Sequence, residues 1–511
     1  MRLKEMYFTM SDGVQLYTRI VLPADGGKFP IVFMRTPYDH PSNGVPCDLS
    51  QYADNPFVKN GYALIWQHTR GTGDSEGFSR PYHERQDGLD SLDCIRKLPF
   101  YDGSIYVTGG SYLSTVHLCY LSTNPPDIKA AALSIQQDRM YYWRHHNGCC
   151  RNYCSLPWYL GLVKRQYPVQ AAIEDALIRP YRDVSKRVVG EDIQDHVDML
   201  LNDTYNDFWK NQENGEVAET LQIPVLFSDG WFDFYIDGMF AMWERLSSET
   251  REKSAFVVGP WGHATMVRGS EYPFPHGNPP KDYVVNFFNS VRDGTPYRDY
   301  ALGRISFYSV AGDYWTTDAV PVEAEKRLYF GADRTLRKAP ASRDELGYDY
   351  DPDRPLHYYR FDNIFRCPEP HSADGVLSFI SEPAESDTEF FGRLRWHMKV
   401  KTNCDDTAFF MRVYFVEDGV SYNLTEGITS LSYLNPDYHA GEECLIDILT
   451  GPVGFTLKAG SRIRADISSH SDLYAPHANV RGHWALVEDV RVARNTVICD
   501  EEAYLALPCR R

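Results

Sequence analysis

Ile105-Tyr106-Val107-Thr108-Gly109-Gly110-Ser111-Tyr112, followed by the apolar residues 113–121, decides how this chain is read. The first four residues are β-branched or aromatic with no polar alternation, the pattern of a strand buried on both faces. From Leu113 onward apolar residues recur at helical spacing, with no Pro or Gly to stop them. Two glycines between strand and helix permit a turn sharp enough to hold a serine at an unusual backbone angle. Its Oγ then stands exposed at the carboxyl edge of a sheet. The helix start adds unpaired N–H groups and a positive dipole end, which suit a developing oxyanion. Ser111 is therefore a candidate nucleophile; the bland alternative is a Gly/Ser turn.

The flanking sequence repeats the strand signature. Ile31-Val32-Phe33-Met34, Tyr62-Ala63-Leu64-Ile65-Trp66 and Ala130-Ala131-Ala132-Leu133-Ser134-Ile135 are short and apolar, as are Ile223-Pro224-Val225-Leu226-Phe227 and Ala255-Phe256-Val257-Val258. Strands covered on both faces by crossover helices read this way, so the expected fold is a mostly parallel α/β-hydrolase sheet with helices on both faces. Its two parts are residues 1–137 and 220–313. Between them, residues 138–219 lose such runs and carry aromatic and charged residues at helical spacing, which predicts a helical cap inserted over the strand ends. From residue 314 to 511 the pattern changes. Arg393-Leu394-Arg395-Trp396-His397-Met398-Lys399-Val400-Lys401 alternates at every position, and Arg462-Ile463-Arg464-Ala465-Asp466-Ile467 does the same. With turns at Asp418-Gly419 and Ala459-Gly460, this last part reads as a β-sandwich, a jelly roll with one wet face.

Composition narrows the function classes. The chain has 511 residues, 43% hydrophobic and 24% charged, enough for a large core in two or three domains. A formal net charge of −18 and no basic run argue against a nucleic-acid partner. Met1-Arg2-Leu3-Lys4-Glu5-Met6 lacks the apolar core of a signal peptide, and no apolar run is long enough for a membrane. Eleven scattered Cys read as reduced thiols of a cytoplasmic protein. The one cluster, Cys149-Cys150 with Cys154, lacks C-x-x-C spacing, so neither a metal nor a cofactor is expected.

A serine needs a base to take its proton and a third group to orient that base. In a hydrolase sheet these partners follow later strands, acid before histidine. Residues 223–227 run into Ser228-Asp229-Gly230-Trp231-Phe232-Asp233, and residues 255–258 into Gly259-Pro260-Trp261-Gly262-His263. Both loops fall on the same sheet edge as Ser111. His263 is the candidate base, while Asp229 and Asp233 compete as the acid. The Tyr112 N–H supplies one oxyanion donor. The early loop Arg35-Thr36-Pro37-Tyr38-Asp39 has no Gly-Gly stretch to present a second amide, so the Tyr38 phenol is the candidate there. Trp143, Trp158, Trp231, Phe234 and Tyr235 are candidates for an apolar substrate pocket.

Together these segments resemble the X-Pro dipeptidyl-peptidase-like serine hydrolases, and especially their cocaine esterase branch. The resemblance rests on Arg35 to Asp39, on Thr69-Arg70-Gly71-Thr72-Gly73-Asp74-Ser75-Glu76-Gly77, on the elbow, on Gly230 to Asp233, on Gly259 to His263, and more loosely on the β-rich tail. It implies Ser111 as nucleophile, Asp233 rather than Asp229 as acid, His263 as base, and Tyr38 with the Tyr112 amide as oxyanion hole. A homodimer is also implied. One departure stands out: Ser114 occupies a place where the family usually has glycine. Three readings stay open. The first is an esterase or amide acylase on small acyl substrates. The second is a dipeptidyl peptidase on short peptides, which must bind an ammonium and for which Asp138 is the candidate partner. The third is a ligand-binding protein with an inert elbow.

Overall fold

The apolar runs become neighbours in one ten-stranded sheet. The structure, a computed structural model, describes residues 1–38, 54–152, 155–163, 177–263, 270–319, 321, 325–340, 342–356 and 364–510. Strands β1 (Arg2–Thr9), β2 (Gln15–Leu22), β3 (Phe29–Thr36), β4 (Ala63–His68), β5 (Tyr101–Gly110), β6 (Ile128–Ser134), β7 (Val225–Gly230), β8 (Ala255–Gly259), β9 (Ile305–Ser309) and β10 (Tyr314–Asp318) lie in the order β1-β2-β4-β3-β5-β6-β7-β8-β9-β10. From β4 to β9 every pairing is parallel. The chain reverses direction across the sheet between β3 and β5, and ligand crevices open at such switch points beyond the carboxyl ends.

Double-sided burial explains the unbroken apolar runs. Ile31 and Phe33 of β3, with Ile105 and Val107 of β5, join one core, whereas Val32 and Tyr106 join the core on the opposite face. Helices α1 (Arg85–Arg96) and α2 (Tyr112–Leu121) cover the first face through Leu92, Ile95, Leu118 and Leu121. The segment between β6 and β7 holds α3 (Met140–Arg144), α4 (Ser155–Leu162), α5 (Val184–Val189) and α6 (Gln194–Leu201). It also holds a two-residue hairpin, His145–His146 against Cys149–Cys150, which the helical reading did not include. Then α7 (Ile236–Arg245) returns to the first face through Met239, Phe240 and Trp243, and α8 (Tyr283–Asp293) covers the second through Val285, Phe287 and Phe288. Among the described residues, no helix is long and apolar enough to cross a membrane.

The expected boundary after residue 313 falls inside a hairpin. Strand β10 pairs antiparallel with β9 and so completes the first sheet, because Tyr314–Asp318 satisfies the edge that β9 would otherwise leave open. Beyond it lies a second, eleven-stranded sheet. Thr388–Thr402 alternates buried and half-exposed residues from Arg393 to Thr402, placing Leu394, Trp396, Met398 and Val400 inside. Asp418 and Gly419, both at positive φ, close a two-residue turn between Ala408–Glu417 and Val420–Ser430. The wet face expected for Arg462–Ser468 is absent. Arg464 and Asp466 are buried and paired at 2.7 Å, a match of charges that allows polar residues on an inward face. The two sheets are joined directly. Val310 N–H donates to the Gly454 carbonyl and Thr456 N–H to that of Val310, while Phe307 stacks on Phe391 at 4.1 Å.

Helix α2 returns against the end of β5 so closely that a methyl on Gly109 would lie 2.5 Å from the Leu113 carbonyl. Gly109→Ala is therefore expected to destabilise the fold by about 2–3 kcal/mol. Gly161→Ala, on the exposed side of α4 with open space around it, is expected to stabilise by about 0.5–1 kcal/mol. Chemical denaturation midpoints of the two variants check both signs.

Candidate active site

At the β5–α2 turn Ser111 adopts φ 56° and ψ −130°, a region that non-glycine residues rarely occupy. Neighbouring bonds hold it there. Ser111 N–H donates to the Ser134 carbonyl at 2.9 Å, which ties the turn to β6. Ser114 is fully buried; its hydroxyl donates to the Gly109 carbonyl at 2.6 Å and accepts the Ser134 N–H at 3.1 Å. The turn projects the Ser111 side chain outward and leaves the Tyr112 N–H, first of the helix, without an intrahelical acceptor. Below it, Tyr112 O–H donates to Glu84 Oε1 at 2.5 Å, and burial pushes the Glu84 carboxyl up to about 7.

Two further loops meet this turn. Trp231 N–H donates to the Gly259 carbonyl and Phe232 N–H to that of Trp261, each at 3.0 Å, so the loops after β7 and β8 are fastened together. A methyl on Gly230 would stand 2.0 Å from the Trp261 carbonyl oxygen; only glycine fits this approach. The result brings His263 Nε2 to 2.9 Å from Ser111 Oγ and His263 Nδ1 to 2.6 Å from Asp233 Oδ2. The other Asp233 oxygen accepts the Tyr235 N–H at 2.7 Å, and Phe234 stacks on the imidazole at 4.4 Å. Asp233 is buried while His263 keeps a third of its side chain exposed.

Asp229 does not reach the histidine. It accepts the adjacent Gly230 N–H, its other oxygen has no partner among the described residues, and burial beside Asp233 pushes its carboxyl well above the usual range. The Tyr38 hydroxyl lies inward, although 41% of the residue is exposed. It accepts from Trp158 Nε1 at 3.2 Å and interacts with the Ser111 hydroxyl. Burial raises this phenol, so it stays a donor. Asp39 and Cys154 lie outside the described residues.

A cavity of about 330 Å³ opens above Ser111 and His263. Tyr38, Trp143, Trp158, Phe234 and Tyr235 line it, but Trp231 does not. Trp231 leaves the strand end on the face toward α7 and the second sheet, stacking on Phe240, touching Phe391 and donating to the Tyr308 carbonyl at 2.7 Å. Sequence reading passed over Tyr82, Gln136, Arg144 and Ser155, which also line the cavity. Arg144 follows Trp143 directly, which was the one available signal. Asp138 is elsewhere, buried and paired with Arg245 at 2.6 Å. The Thr69 to Gly77 motif is structural: Arg70 pairs with Asp87 at 2.6 Å and Asp12 at 2.8 Å, and Gly71 packs on the backbone at Ser79.

The sequence matches the family model described as X-Pro dipeptidyl-peptidase (S15 family) over residues 12–265, and that family's C-terminal non-catalytic domain over residues 291–505. It is 24% identical over 524 residues to the cocaine esterase of Rhodococcus sp. (strain MB1 Bresler), covering 90% of this chain and 89% of that one. The fold is similar to that of an α-amino acid ester hydrolase (TM-score 0.85, 19% identity, 100% of this chain and 96% of the other). It is also similar to that of an aminopeptidase from a marine-sediment Thaumarchaeota archaeon (TM-score 0.84, 20% identity, 99% and 96%). With both halves matched in order along nearly its whole length, the chain belongs to the X-Pro dipeptidyl-peptidase (S15) family and is a serine hydrolase.

Proposed function

We propose that the protein hydrolyses ester or amide bonds of small acyl substrates through an acyl-enzyme on Ser111. The observation that carries this reading is the continuous path from Asp233 Oδ2 through His263 to Ser111 Oγ, with bonds of 2.6 and 2.9 Å at the floor of a cavity. With the imidazole neutral, its Nδ1–H donates to Asp233 and its Nε2 accepts the Ser111 proton. Oγ attacks the carbonyl carbon, and the oxyanion is held by the Tyr112 N–H and the Tyr38 O–H. Because Trp158 donates to the Tyr38 oxygen, the phenol proton is free to point at the reacting centre. His263 then returns the proton to the leaving group, and water releases the acyl group by the same steps in reverse.

A small-molecule acylase or esterase ranks ahead of a dipeptidyl peptidase for a specific reason. A peptidase of that type must pair a substrate ammonium with a carboxylate. Among the described residues lining the cavity there is none, and Asp138 is already committed to Arg245.

A fluorophosphonate probe is expected to label wild type at Ser111 and to leave Ser111→Ala unlabelled; labelling of the variant would place the nucleophile elsewhere. A nitrophenyl acyl ester is expected to turn over faster than an Xaa-Pro anilide, and cleavage of the anilide alone would reverse the ranking. Tyr38→Phe should lower kcat by about 100-fold with little change in KM, because its bond strengthens in the transition state. Asp233→Asn should reduce kcat by roughly 10³–10⁴-fold. Asp229→Asn, at a buried carboxyl that does not reach the imidazole and that burial pushes well above the usual range, should keep most of the activity. Equal losses in the last two variants would contradict the assignment of the acid.

A further inference from the structure

The only side chain with a permanent charge among the described residues lining the cavity is Arg144, and it lacks a counter-ion. Arg144 is 6% exposed. One N–H of its guanidinium donates to the Arg151 carbonyl at 2.6 Å, and the group lies over the Trp143 ring at 4.5 Å. No carboxylate among the described residues pairs with it, and its remaining N–H groups have no acceptor there. Two buried arginines elsewhere in the fold are answered by carboxylates: Arg412 meets Glu426 and Arg464 meets Asp466. Arg151, on the same hairpin, bonds the Phe234 carbonyl and Tyr474 O–H, with Asp237 and Glu426 nearby.

The cation is also held in place. Arg151 N–H donates to the Arg144 carbonyl at 2.7 Å, so backbone and side chain of residue 144 are both pinned to residue 151. A second unsatisfied group belongs to another residue of the cavity wall. Ser155 Oγ, in the first turn of α4, is buried with no partner among the described residues, and Ser155 lines the cavity. A buried guanidinium with unused donors, and an idle hydroxyl on the same cavity wall, suit a planar anion. The guanidinium fork matches a carboxylate.

We propose that the cavity accepts an acyl group that ends in a carboxylate, so that the substrates are half-esters or half-amides of small dicarboxylic acids. This rests on Ser111 being the nucleophile. Arg144 grips the distal carboxylate, Ser155 donates to it, and Trp143, Trp158, Phe234 and Tyr235 enclose the connecting carbons. The acyl side is assigned to the enclosed cavity because the acyl group stays bonded to Ser111 while the leaving group departs and water enters. In the first step the Ser111 Oγ–acyl bond forms, the bond to the leaving alcohol or amine breaks, and that group departs with the proton from His263. Water then adds to the acyl carbon as His263 takes its proton, the Ser111 Oγ–acyl bond breaks with that proton passed to the serine, and a free dicarboxylate is released.

The test compares mono-4-nitrophenyl glutarate with its neutral methyl 4-nitrophenyl counterpart, using the whole protein. Wild type is expected to favour the half-ester by about tenfold or more in kcat/KM, and glutarate should inhibit neutral-ester turnover competitively. Arg144→Met should collapse the ratio between the two esters, and Arg144→Lys should restore part of it. Equal kcat/KM for both esters in wild type overturns the proposal, as does an Arg144→Met variant that lowers both in proportion. A preference for 4-acetoxybenzoate over its methyl ester, without one for the half-ester, would move the anion to the leaving group and likewise overturn it. If Arg144→Met does not fold, the wild-type ratio and the glutarate inhibition decide alone. Failure of every ester together with failure of fluorophosphonate labelling would instead refute the nucleophile, a separate result.

Discussion

The backbone angle at Ser111 is the constraint on which the rest of the site depends. A φ of 56° on a serine carries a strain of about 1–3 kcal/mol, and the surrounding structure must supply at least that much to hold it. It does so locally. The bond from Ser111 N–H to Ser134, the Ser114 hydroxyl between Gly109 and Ser134, and the contact of α2 with Gly109 leave the turn no relaxed alternative. The strained turn has two chemical consequences at once: it presents Oγ to the cavity and frees the Tyr112 N–H. Ser114 fits this logic, because its hydroxyl occupies the tight space with a hydrogen bond on either side.

Placement of the other partners follows from strand order. Strands β5, β7 and β8 end on one edge of a parallel sheet, so the loops that follow them converge without a long excursion. Bonds between residues 231–232 and 259–261 then reduce two loops to one rigid unit. The cap is secured from a different direction. Its hairpin is bonded to the C-terminal part of the chain through Asn152 to Leu473, Ala475 to Cys150, and Asn147 to Ile428. Arg151 meanwhile reaches both Tyr474 and the Phe234 carbonyl beside Asp233. The wall that carries Trp143 and Arg144 is thus braced by the β-rich C-terminal unit, none of whose described residues lines the cavity.

Much of this was legible in the residues because it is local. Runs such as residues 31–33 and 105–107 must be strands buried on two faces, since every consecutive side chain is apolar and they face the two cores alternately. Asp418-Gly419 had to be a turn for the same kind of reason, as both residues tolerate positive φ. Other readings failed where a side chain's direction depends on distant packing. Alternation in residues 462–467 looked like a wet face, yet Arg464 and Asp466 neutralise each other inside the second sheet. The aromatic character of Trp231 said nothing about which side of the strand end it would take.

The primary structure by itself determined the sheet, the sharp turn at Ser111, and the placement of Asp233 and His263 in loops on one edge, because these follow from periodicity and from turn chemistry within a few residues. It could not separate Asp229 from Asp233 by spacing. Nor did it mark Arg144, one arginine among 52 Lys and Arg, as different from the others. Those points were decided by the tertiary structure. Whether a carboxyl group touches the imidazole or is buried away from it depends on how the loops pack. Whether a guanidinium meets a carboxylate or an open cavity depends on segments brought together only when the cap folds over the sheet.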